Sequence, residues 1–171
     1  YFGQLILDGK IPYIDFYEMK YPGIYYSYAL LLMIFGQSLS SIHFAFILLN
    51  LATIFFLYGF SAKLFSKTTG VITAAAYALL SLIPHVSGFT IQSEHLVNFY
   101  FAAGLYYFAL SVEKGKIAQF FLSGIFIGMS FMVKQNGVFF ILFVGISIVL
   151  YYLLQKVKDW KKLLINAASY S

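Results

Sequence analysis

The side chains in this chain that could do chemistry gather in a few short polar clusters between long apolar runs. The densest is GKIPYIDFYEMKYPG, Gly9 to Gly23, which holds Asp15, Glu18 and Lys20. Two carboxylates beside an ammonium can grip a phosphate through the lysine and activate a hydroxyl through an acid. An ordinary wetted loop would carry the same residues. The functional reading rests on Pro12, Pro22 and the interleaved aromatics, which fix the backbone around the charges. A second cluster is IQSEHLVNF, where Glu94 and His95 open an apolar stretch. The helix dipole alone would favour Glu94 in a first turn. An ionisable group at the mouth of a membrane helix is also a functional candidate. The third is MVKQNG, in which Lys134 and Gln135 follow an apolar run and Lys134 calls for an anionic partner, either Glu94 or a lipid phosphate. His43, when protonated, could bind the same anion, or it could serve only as a hydrogen-bonding tip at an interface. His85, after Pro84, is a weaker candidate.

Several chemistries are excluded by what is missing. Cysteine is absent, so the chain has no disulfide framework, no thiolate nucleophile and no thiolate metal site. No HExxH or DxDxDG spacing, glycine-rich phosphate loop or serine elbow is present. Glu94 and His95 are adjacent rather than helically spaced, so they point in different directions. No metal site is expected from the residues present, no cofactor is specified, and participation of a divalent ion is left open.

The elements that must position these groups are set by composition. With 61% hydrophobic and 10% charged residues, the chain is far from the globular balance of roughly 45–50% apolar and about 25% charged. Continuous apolar runs, without the alternation of a membrane barrel, predict an all-α, polytopic transmembrane bundle. Five spans are expected at about 42–60, 70–87, 95–112, 117–133 and 137–154, each near the 17–25 residues a bilayer requires. All eleven basic residues are lysines. Lys63 and Lys67, Lys114 and Lys116, and Lys156, Lys158, Lys161 and Lys162 follow alternate spans, which makes those loops cytoplasmic under the positive-inside rule. The net charge of +5 is thus spread over loop flanks and suits an anionic leaflet rather than nucleic acid.

The opposite face would then hold residues 1–41, the turn around His85 to Asn98, and Lys134 to Asn136. Tyr1 to Leu7 reads as the end of a short helix stopped at Asp8-Gly9. Gly23 to Gly36 is apolar, but at 1.5 Å per residue it reaches only about 21 Å and is read as a juxtamembrane or re-entrant helix. Ala74 to Ala76, Ala102 to Gly104, and Gly124 with Gly128 are expected helix contacts. Because Tyr1 is not an initiator methionine and the chain stops at Ser171, a fragment of a longer transmembrane domain is expected.

GKIPYIDFYEMKYPGIYYSYALLLMIFG, followed by QSLSSIHFAF, resembles the first large outer loop of membrane glycosyltransferases with a GT-C fold. The likeness is to the branch related to protein O-mannosyltransferases and aminoarabinose transferase, the dolichyl-phosphate-mannose-protein mannosyltransferase-like family. It extends through SGFTIQSEHLVNFYFAAGLYYFAL and GIFIGMSFMVKQNGVFF. The resemblance implies transfer of a sugar from a polyprenyl-phosphate donor, usually with inversion, to a hydroxyl of a glycan, lipid or protein acceptor outside the membrane. It places Lys20 on the residue facing the carrier phosphate, and Lys134 and His43 are the further candidates for offsetting the same charge. His43 falls where the family commonly has arginine. Glu18 and Glu94 fall on acidic positions, and Asp15 is the nearest further acid. The principal catalytic acid would lie upstream of Tyr1. Tyr21-Pro22 departs from the commoner double proline. His95 and Gln135 are secondary candidates.

Two other classes fit the residues alone. A transporter or flippase fragment would place Glu94 and Lys134 at mid-membrane depth on opposed half-helices. A non-catalytic assembly protein would pair its outer charges only with one another and leave no cavity.

Overall fold

A computed structural model describes residues 1–83 and 92–154; His85 and the lysines from Lys156 to Lys162 lie outside the described residues. The described chain is all helical: α1 Phe2–Leu7, α2 Pro22–Phe35, α3 Leu39–Leu64, α4 Lys67–Leu80, α5 Ser93–Lys114, α6 Ile117–Val133 and α7 Gly137–Leu154. Local chemistry sets most of the boundaries. Pro22 sits in the first turn of α2, where its missing N–H costs nothing. Ser38 and Ser66 each accept from a backbone N–H of the first turn of α3 and α4. Gly115 ends α5 in the left-handed conformation.

Helices α3 and α5 are long and apolar enough to cross a membrane, whereas α2, α6 and the apolar part of α7 are shorter. The expected spans at 117–133 and 137–154 coincide with α6 and α7. Helix α4 covers only part of the span expected at 70–87, whose residues 84–87 lie outside the described residues. Helix α4 starts earlier and stops at Leu80, where the Ser81 hydroxyl turns back to the Ala78 carbonyl at 3.1 Å. Its 14 residues rise about 21 Å, less than a bilayer core.

Helix α5 is the central element, packed between α3 and α6. Of its most apolar stretch, 56% is buried, against 22% in α3. Close approach to α6 depends on small residues. Ala102, Ala103 and Gly104 are buried, and the Ser123 hydroxyl donates to the Gly104 carbonyl at 2.7 Å. A Cβ on Gly104 would run into the Ile127 side chain. The alanines of α4 do not behave this way, because Ala75 and Ala76 are exposed and α4 docks on α3 through Gly70, against the Tyr58 carbonyl and Ala62.

One apolar cluster, including Tyr25, Phe46, Leu96, Tyr100 and Val133, joins α2, α3, α5 and α6 at one end of the bundle. Another, of Leu105, Phe108, Ile127, Val144 and Ile148, joins α5, α6 and α7 towards the other. Phe44, Ile47, Leu51 and Phe55 on α3 and Phe139, Leu142, Phe143 and Ile146 on α7 are exposed. Such continuous apolar surface marks contact with lipid or with another chain.

Candidate functional site

The loop before α2 is a rigid frame rather than a trailing segment. Tyr13 takes φ of +67°, and its N–H donates to the Phe16 carbonyl at 2.8 Å. Asp15 closes the same turn, with Oδ2 accepting from the Ile11 N–H at 2.7 Å. The rings of Phe2, Phe16 and Tyr13 pack around Tyr25. Two phenols then hold the backbone at the functional end of the loop. The Tyr13 hydroxyl donates to the Lys20 carbonyl, and the Tyr25 hydroxyl lies 3.2 Å from the Glu18 carbonyl and 3.4 Å from that of Lys20. Burial first, and the neighbouring Tyr17 second, hold the Tyr13 hydroxyl above its ordinary pKa of 10.0, so it remains a donor at neutral pH.

The Lys20 ammonium is thereby set at the mouth of the bundle, 2.6 Å from Glu18 Oε1. The other carboxylate oxygen, Oε2, is buried and has no hydrogen-bond partner. Helix α2 carries Lys20 towards α6 through a tight contact in which Gly23 lies against the Met132 backbone. Tyr21 adds an edge contact to Phe131, with ring centroids 5.4 Å apart. A hydrogen bond of 3.0 Å between Ser27 and Tyr100 links α2 to α5.

Lys134 ends α6 in extended conformation, and its ammonium reaches across to pair with Glu94 in the first turn of α5. Ser93 donates to the other Glu94 oxygen at 3.0 Å. Both partners are partly exposed, so the pair faces open space rather than a sealed interior.

Lys20, Glu94 and Lys134, which are far apart in sequence, line one cavity of about 360 Å³ together with Tyr25, Tyr28 and Gln92. A second cavity of about 370 Å³ shares the same ion pair and is bordered by Glu94, Lys134, His95, Tyr77, Asn98 and Asn136. Two ammonium groups beside two carboxylates can bind an anion once a lysine exchanges part of its carboxylate contact for it, and a carboxylate can accept a proton from a hydroxyl nearby.

The other candidates stand apart from this group. His43 is exposed, with Nδ1 2.9 Å from the Leu39 carbonyl of its own helix, and lines neither cavity. Gln135 is exposed in the turn before α7 and also lines neither. Asp15 frames the loop without reaching the first cavity. His95 faces the second, its ring 5.9 Å from Phe46 and edge-on. Among the described residues, no three acidic or histidine side chains converge as a metal site would require.

Sequence reasoning missed the tyrosines. Tyr13 and Tyr25 position Lys20, while Tyr28 and Tyr77 line the cavities. In a chain with 15 tyrosines the residue type is no signal, and only the packing singles these out.

A family model described as dolichyl-phosphate-mannose-protein mannosyltransferase matches residues 20–169. Lys20 is its first matched position, so Asp15 and Glu18 fall outside it. No curated protein matches the chain, and no solved structure does.

Proposed function

Because this chain belongs to the dolichyl-phosphate-mannose-protein mannosyltransferase family, we propose that it transfers a sugar from a polyprenyl-phosphate carrier to a hydroxyl acceptor at the extracytoplasmic membrane face. The observation that carries this reading is the convergence of Lys20, Glu94 and Lys134 on one cavity at one end of the bundle. Lys63 and Glu113 pair at the opposite end, where the positive-inside rule expects the cytoplasm. In this arrangement residues 1–41 form an outer segment, and the five helices after it form a GT-C-like bundle in the cell membrane, in which α3 and α5 are long enough to cross and α4 is shorter than the hydrocarbon core. The exposed apolar faces of α3 and α7 support lipid contact and offer a path for a polyprenyl tail.

The chemistry assigned to these residues is placement and charge compensation. The acceptor oxygen attacks the anomeric carbon, the bond from that carbon to the phosphate oxygen breaks, and the electron pair leaves on the phosphate. Lys20 and Lys134 offset the charge that develops there. Glu94 orients the acceptor hydroxyl and takes its proton. Glu18 pairs with Lys20 until the phosphate takes its place, and Asp15 keeps the loop closed. Acceptors of this chemistry are hydroxyls of a glycan, lipid or protein.

Glu94 and Lys134 stand at helix ends rather than within opposed half-helices, and two cavities adjoin the paired charges. Both features favour a transferase over a transporter or an assembly subunit. The test is transfer of radiolabelled sugar from polyprenyl-phosphate donors by the full-length protein in liposomes. Transfer is expected in the wild type, with a loss of at least tenfold in folded Lys20→Ala and Glu94→Gln variants. Wild-type rates in both variants would overturn the assignment.

A further inference from the structure

The loop before α2 carries apolar side chains on its outer side. Ile11, Ile14, Tyr17 and Met19 are 52%, 79%, 76% and 90% exposed. The inner side is accounted for, because Pro12 is buried and Phe16 packs against Phe2 and Tyr25. The backbone of the tip is unusually well satisfied for an irregular segment. The Ile11 N–H donates to Asp15 Oδ2 and the Tyr13 N–H to the Phe16 carbonyl, while the N–H groups of Ile14 and Asp15 both donate to the Ile11 carbonyl. Pro12 has no N–H. Unbonded peptide groups are what keep an irregular segment out of apolar surroundings, so much of that barrier is already removed here. Asp15, the one charged residue between Ile11 and Tyr17, is engaged in the same turn.

Helix α2 fixes where this loop sits. Its first turn meets the C-terminal end of α6, with Gly23 against Met132, and its last residue, Phe35, meets Phe44 near the start of α3 with ring centroids 6.1 Å apart. Both of those ends lie opposite the end marked by the Lys63–Glu113 pair. Helix α2 therefore runs across that end of the bundle instead of through it. Tyr26, Leu30, Met33 and Ile34 form one exposed apolar stripe along α2, and Phe35 and Phe44 join it to the exposed face of α3. The loop enters α2 at the other end of this stripe.

We propose that Ile11, Ile14, Tyr17 and Met19 enter the interfacial layer of the outer leaflet, so that this loop is a membrane anchor at the rim of the first cavity. Tyrosine among aliphatic side chains suits that layer, with the ring at the acyl boundary and the hydroxyl among the headgroups. Lys10 stands at the head of the segment, where a lipid phosphate can meet its ammonium. A lipid surface is favoured over a protein partner because α2 lays its apolar stripe along the same boundary. The anchor holds Lys20, which follows Met19, at the depth of the headgroups. It depends on the membrane placement of the bundle and not on the chemistry proposed for the cavity.

The experiment places a bimane fluorophore on Ile14→Cys or Met19→Cys in the full-length protein, otherwise free of cysteine, in nanodiscs of phosphatidylcholine and phosphatidylglycerol. Quenching by lipids with a nitroxide high on the acyl chain is compared with quenching by iodide in the water. Both positions are exposed, so neither substitution leaves a cavity, and each makes the test if the other variant does not fold. The expected result is loss of about half the emission with the nitroxide lipid, and iodide quenching about threefold weaker than for the free bimane–cysteine adduct. Full access to iodide with no quenching by the lipid overturns the proposal. Shielding from both quenchers also overturns it, and assigns the surface to a protein partner.

Discussion

In the proposed transferase Glu18 would compete with the carrier for Lys20, and removing its charge should tighten phosphate binding. Its Oε1 lies 2.6 Å from the lysine Nζ, with side-chain exposures of 30% for Glu18 and 51% for Lys20. At that exposure the pair is screened by solvent, and such ion pairs contribute about 0.2–1 kcal/mol. A phosphate that draws Lys20 away must overcome that amount. Glu18→Gln keeps the shape and an oxygen for Lys20 while removing the charge, so the carrier should bind about 1.4- to 5-fold more tightly at low salt. Lys20→Gln removes the cationic donor itself. Charge-assisted hydrogen bonds are worth about 1.5–3 kcal/mol, so binding should weaken by about 10- to 150-fold. The assay is titration of polyprenyl phosphate into nanodiscs at two salt concentrations, where the gain from Glu18→Gln should shrink as salt rises. If Glu18→Gln weakens binding as much as Lys20→Gln does, Glu18 is a required positioning group and the competition argument is wrong.

Three further outcomes follow from the same geometry. Gly23→Ala would push a methyl into the Met132 backbone, so it should destabilise the α2–α6 contact by roughly 1–3 kcal/mol, seen as a lower Tm, and should reduce carrier affinity by separating Lys20 from Lys134. The Tyr13 hydroxyl has a folded pKa above its ordinary 10.0, so its contribution to stability is complete below pH 10.0 and is lost as pH rises through the folded value. Thermal unfolding should show this alkaline step in the wild type and a smaller one in Tyr13→Phe; identical profiles would remove Tyr13 from the loop's support. The chain has no cysteine, so single substitutions report sidedness cleanly. A membrane-impermeant maleimide should label Lys20→Cys and Lys134→Cys from outside intact cells and Lys63→Cys and Lys114→Cys only after permeabilisation, and labelling of all four from one side would refute the topology.

Sequence and structure agree most closely where a turn has its own chemistry. Helices α6 and α7 have the expected bounds because Lys134, Gln135 and Asn136 interrupt an otherwise continuous apolar run. Helix α4 was harder to delimit, because hydropathy does not register a serine that bonds back to Ala78 and ends the helix at Leu80. In the site, Lys134 was legible as a lone cation in need of an anion, and Glu94 is its partner. His43 was legible only by its position in a motif, and its ring bonds within its own helix. The second cavity was not legible at all. Asn50, Thr53, Tyr77 and Asn98 are single polar residues on three helices, and only the docking of α4 and α5 on α3 gathers them.

In the proposed function Lys20 and Lys134 hold one carrier phosphate between them. The direct measurement is phosphorus NMR of polyprenyl phosphate titrated into nanodiscs containing the full-length protein. A resonance shift is expected in the wild type and is lost or markedly reduced in both Lys20→Ala and Lys134→Ala, with the folded state retained. A wild-type shift that survives unchanged in either variant would contradict it.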